Sequence, residues 1–74
     1  MNENFVRGDF VRIERDRGAC MQAMVTLASD NGNSLVLMFD GMFDGYIGMM
    51  PVLRSDGEFR DLVRMEIVKI TRMP

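Results

Sequence analysis

The chain has 74 residues, which allows one domain and excludes a second. A single cysteine, Cys20, excludes an intrachain disulfide, and the absence of histidine excludes the common Cys/His zinc sites. The net charge of −2 argues against non-specific nucleic-acid binding, which needs Lys and Arg densely set against phosphates.

Charge is unevenly placed. Residues 1–17 hold four Arg and four acids, and residues 54–74 hold five basic groups and four acids. Between them, residues 18–53 hold only Asp30, Asp40 and Asp44. The expectation is an apolar middle forming inner strands, flanked by mixed-charge, solvated edges. No basic start is followed by an apolar run, as a signal peptide requires. The longest apolar stretch, Leu35 to Phe39, is too short to span a membrane. A free thiol fits a reducing compartment, so a cytoplasmic location is expected.

In chain order, Phe10 to Glu14 alternates, with Val11 and Ile13 on one face, and reads as a strand. Phe5-Val6-Arg7 echoes Phe10-Val11-Arg12, and the two runs are expected to form one bent strand. Met21 to Ser29 alternates again, placing Met21, Ala23, Val25 and Leu27 on one side. Asp30-Asn31-Gly32-Asn33 then predicts a tight hairpin turn, because Asn-Gly tolerates positive φ at both central positions. Its partner strand, Leu35 to Phe39, is apolar on both faces, which predicts that both are covered.

A tandem repeat follows: Met38-Phe39-Asp40-Gly41, then Met42-Phe43-Asp44-Gly45. Both Asp-Gly pairs favour turns, so the strand is expected to end, pass through a compact loop and restart from about Tyr46 to Leu53. Pro51 lacks an amide donor, which places that strand at an edge or bends it. Ser55-Asp56-Gly57-Glu58 predicts a hairpin onto Phe59 to Val63. A single helical turn is expected near Asp61 to Arg64, and a last strand near Glu66 to Thr71.

The expected fold class is all-β: a small five-stranded SH3-like barrel or a two-layer β fold, with at most one short helical turn. Gly8-Asp9-Phe10-Val11 resembles the opening strand of SH3-like barrels of the Tudor and KOW kind. Ala23-Met24-Val25, the hairpin and Met38-Phe39-Asp40-Gly41 continue in similar order. The resemblance implies a helical turn and final strand within Leu62 to Ile70. Basic residues usual in the middle strands of such modules are missing here, and Met42 to Pro51 is longer and more apolar.

Chemistry-bearing patterns are sparse, and the expectation is a protein without enzymatic activity. General acid–base catalysis most often uses His, and Cys20 has no imidazole partner. Arg15 and Arg17 lie near Cys20 in sequence, but a lone cysteine is ordinarily a small buried packing residue. Asp40 and Asp44 are too few oxygen ligands for a calcium loop, and turn formation explains both. Gly41, Gly45 and Gly48 have no following Lys-Ser/Thr, so they make no phosphate loop. No cofactor or metal is expected.

The densest feature is apolar. Met38, Phe39, Met42, Phe43, Tyr46, Ile47, Met49 and Met50 fall within thirteen residues. A small domain hides so many large side chains with difficulty, and a patch left exposed marks an interaction site. Self-association as a dimer or higher homo-oligomer is the leading expectation, since it also supplies the stability a small core lacks. A ligand groove, or a protein or peptide partner, is the alternative use. An aromatic cage of Phe39, Phe43 and Tyr46 around a cation is a narrower one. Separately, Arg12, Arg15, Arg17, Arg54, Arg60 and Arg64 would form a basic stripe if the fold joins the ends, the basis of a nucleic-acid-associated reading. Glu14, Asp16, Asp56, Glu58 and Asp61 lie among them and favour salt-bridged surfaces instead. An enzyme whose site forms only between subunits ranks last.

Overall fold

The structure, a computed structural model, describes residues 4–74. Glu3, one of the N-terminal acids, lies outside the described residues. Six strands follow one another: β1 (Phe10–Glu14), β2 (Cys20–Ser29), β3 (Ser34–Phe43), β4 (Tyr46–Ser55), β5 (Glu58–Asp61) and β6 (Ile67–Arg72). Each pairs antiparallel with the next, and β6 returns to β1 to close a barrel. The expected count was five. Six form, one for each of the six strand runs read from the sequence, so the closed barrel has one strand more than the five-stranded form expected.

Alternation explains the core. Val11 and Ile13 of β1, Ala23 and Val25 of β2, Leu35, Leu37 and Phe39 of β3, and Met50 and Val52 of β4 all point inward. Phe59 and Val68 complete the ring from β5 and β6. Each fully buried aliphatic side chain contributes about 1.5–3 kcal/mol. Phe5 closes one end, its ring edge-on to Phe59 at 5.9 Å between centroids.

Several expectations change. The ends of the chain are not sheet edges, because β1 and β6 pair with each other, from Val11 opposite Arg72 to Glu14 opposite Lys69. Phe5-Val6-Arg7 is not part of β1: the Asp9 amide bonds the Val6 carbonyl, and the Asp9 carboxylate accepts from the Val6 amide, making a turn. A register shift between Val25 and Leu27 interrupts the β2 alternation, so Val25 is buried while Leu27 is exposed. The outer face of β3 is not covered: Met38 is exposed. Pro51 lies inside β4, opposite Val36 of β3. Its carbonyl accepts from the Leu62 amide, so its missing donor faces the same side, just past β5, where no ladder bond is lost.

The tandem repeat divides its roles. Asp44-Gly45 is the β3–β4 hairpin turn, with φ of 53° and 88°. Asp40-Gly41 is not a turn. It forms a bulge within β3, where the register jumps from Met38 opposite Met49 to Met42 opposite Ile47. Gly41 has φ of 95°, which any other residue would adopt only under strain.

Candidate functional site

Two features outside the core are built from more than one strand: an apolar row on the barrel's outer face and a polar cluster at one end.

The row comes from register. Phe10 of β1 pairs with Met24 of β2, Met24 with Met38 of β3, and Met38 with Met49 of β4. Phe10, Met38 and Met49 are exposed and Met24 is half-buried. Directly paired residues both point out from the barrel wall, so the four side chains form a continuous strip that wraps round the wall from β1 to β4. Along β4 the outward positions Ile47, Met49, Pro51 and Leu53 extend it, and Met42 stands opposite Ile47. Seven of the eleven exposed large hydrophobic residues among the described residues are Phe10, Leu27, Met38, Met42, Ile47, Met49 and Leu53, all on β1–β4.

The barrel wall therefore divides the apolar cluster read from the sequence. Met38, Met42, Ile47 and Met49 lie outside, while Phe39, Phe43 and Met50 are buried. Tyr46 is half-buried against the core. Phe39 and Phe43 meet edge-to-face inside the barrel at 6.2 Å, so these rings and Tyr46 do not surround a surface cation site. Phe10 and Met24 belong to the row although sequence reasoning passed over them. The available signal was β4 itself: apolar residues at both parities, from Ile47 to Leu53, mean one apolar set faces outward.

The polar cluster is centred on Arg15 and Asp61, both buried. Arg15 follows β1, Asp44 sits in the β3–β4 turn and Asp61 ends β5, so hairpin geometry gathers them at the same end of the barrel. Arg15 Nε donates to Asp44 Oδ2 at 2.7 Å, and Nη1 donates to Asp61 Oδ1 at 3.1 Å and to the Glu66 and Ile67 carbonyls. Asp61 also accepts from the Tyr46 hydroxyl and from the Arg64 and Glu66 amides. The Tyr46 oxygen in turn accepts from the Val63 amide. The Met65 amide donates to the Asp61 carbonyl, closing the single turn expected near Asp61 to Arg64.

Burial is the strongest single influence on both carboxyls and raises them, but their partners outweigh it. Asp61 is held well below the usual carboxylate range by the Tyr46 hydroxyl, the two amides and Arg15. Asp44 is lowered by the charges of Arg15, Arg64 and Arg17. Tyr46 is raised, first by burial and then by donating to Asp61.

Of the arginines read as a stripe, Arg15, Arg17 and Arg60 line one pocket with Asp16 and Glu66 at the polar end. Arg15, Arg17 and Arg64 converge on Asp44, Arg60 donates to the Met65 carbonyl, and Arg12 sits apart, 3.7 Å from Glu14. Arg54 bonds the Asn33 side chain and lies over Phe59. Cys20 is not a packing residue as expected but is exposed at the start of β2. Among the described residues no group of three or more Cys, Asp and Glu is placed to hold a metal ion. No helix among them is long and apolar enough to cross a membrane.

The polar cluster thus knots the barrel end together, and the apolar row is the surface that stays uncovered. No family model matches this chain, and searches of curated proteins and of solved structures find no match either.

Proposed function

We propose that the protein is a non-enzymatic binding or scaffolding module, a barrel of the SH3-like kind, whose outer β1–β4 face packs against a second copy of the same chain. The observation that carries this reading is the register-aligned row of Phe10, Met24, Met38 and Met49. A polar partner would have its own groups desolvated against that row with no hydrogen bonds in return, whereas an identical apolar face matches it in chemistry. Methionine suits such a contact, because its unbranched thioether adapts to an irregular opposing surface.

Area supports the same occupant. At about 200 Å² for a fully exposed large side chain, the exposed apolar residues of the contiguous strands β2–β4 present roughly 700 Å². A standard interface takes about 800 Å² from each partner.

Light scattering coupled to size-exclusion chromatography, run from micromolar to millimolar concentration, tests the reading. The expected result is a dimer or larger assembly that Met38→Lys and Met49→Lys reduce to monomer without loss of β structure. A monomer across the whole range overturns self-association and leaves the face to a different partner.

A further inference from the structure

The row that forms the proposed contact is unusually rich in sulfur. Met24, Met38 and Met49 occupy consecutive register positions, and Met42 stands on the same strand as Met38. About half the surface of Met38 and Met49 is open, and Met42 is more exposed still. Met50, next to Met49 in sequence, points into the barrel and is fully buried. One strand therefore carries an accessible thioether and a protected one side by side. Met65, exposed in the turn between β5 and β6, lies away from the row.

Oxidation turns an apolar, flexible thioether into a polar sulfoxide. Inside an apolar contact that oxygen has no donor, and an unpaired buried polar group weakens association. We infer that Met38 and Met49, with Met24 between Phe10 and Met38, form a reversible oxidation site that controls self-association; this rests on the reading given above. A peroxide supplies the oxygen: a sulfur–oxygen bond forms, the peroxide O–O bond breaks, and with hydrogen peroxide water leaves. Sulfur is oxidised and the peroxide reduced. Return requires a sulfoxide reductase with a dithiol donor, which becomes a disulfide as the oxygen departs in water. The assembled face shields its own sulfurs, so attack proceeds through the dissociated chain and slows as protein concentration rises.

The test exposes the full chain to graded hydrogen peroxide, follows each methionine by peptide mass spectrometry, and measures assembly by light scattering and fold by far-UV circular dichroism. The expected result is oxidation of Met38 and Met49 ahead of Met50, with the fold kept and the dissociation constant raised about tenfold or more per unpaired sulfoxide. Reductase and dithiol then restore assembly. A Met65→Leu variant, which removes an exposed methionine away from the row, is expected to assemble untreated and to dissociate at the same dose as the unchanged chain. An assembly that survives oxidation of Met38 and Met49 overturns the switch and leaves self-association standing. A Met65→Leu variant that stays assembled at that dose, or loss of fold on oxidation, overturns the switch by placing the effect elsewhere. An untreated chain that is monomeric throughout overturns both.

Discussion

The Tyr46 hydroxyl donates to Asp61, a carboxylate with no exposed surface, and so ties the first residue of β4 to the last of β5. Through Asp61 the same bond reaches Arg15, and through Arg15 the hairpin turn at Asp44. Tyr46→Phe keeps the ring but removes the hydroxyl. The expected loss is about 1.5–3 kcal/mol, the range for a hydrogen bond to a charged group. Urea unfolding followed by far-UV circular dichroism measures it, and an unchanged midpoint would show that solvent replaces the bond at no cost.

Acid acts on the same cluster. Asp44 and Asp61 are lowered from the ordinary 3.8 in the folded chain. Their contribution is therefore complete above the ordinary carboxylate range and is lost as pH falls through it and below. Asp61→Asn is expected to cost about 3–5 kcal/mol at neutral pH, because Arg15 then keeps a buried charge with one partner fewer. The gap between wild type and variant should narrow as pH is lowered towards 3. A gap that stays constant with pH would mean the Asp61 charge carries none of the difference.

Two glycines share a positive φ but not their surroundings. At Gly41 an added Cβ meets nothing within 4 Å, so Gly41→Ala should cost only the left-handed strain, about 1–2 kcal/mol. At Gly32 the Cβ falls 3.1 Å from both the amide nitrogen and the carbonyl oxygen of Phe5. Backbone yields less readily than a side-chain tip, so Gly32→Ala should cost more. Parallel denaturation curves decide the order, and equal losses would show that the Phe5 segment simply moves aside.

Neighbouring methionines give a third contrast. Met50→Ala empties a filled core position and should cost about 2–5 kcal/mol. Met49→Ala, measured dilute enough to keep chains apart, should change stability by no more than about 0.5 kcal/mol. Comparable losses at both positions would contradict the opposite facing of the two side chains.

Much of the barrel is legible in the residues. The alternation of Val11 and Ile13, and of Ala23 and Val25, locates β1 and most of β2 correctly, and Asp44-Gly45 and Asp56-Gly57 mark real hairpin turns. Closure is less legible, because pairing of β1 with β6 is a contact between distant residues with no local signature. Bulges are hidden for a related reason: Asp40-Gly41 has turn chemistry, and only its pairing partners decide whether the chain reverses there. The site divides the same way. Density of apolar residues marks Met38 to Met50 as unusual, but parity must be counted along β4 to separate Met49 outside from Met50 inside. Arg15, Asp44 and Asp61 lie far apart in sequence, and each alone looks like an ordinary charged residue.

The doubled Met-Phe-Asp-Gly unit has a consequence of its own. Four is an even number, and a strand turns its side chains over at every step. Phe39 and Phe43 accordingly both face the interior, while Met38 and Met42 both face away. The bulge at Asp40-Gly41 gives β3 two more residues than β4 over this stretch, an even number, so Met38 and Met42 stay outside together with their partners Met49 and Ile47. One Asp-Gly of the repeat thus bulges the strand and the other reverses it, and neither exchanges inside for outside.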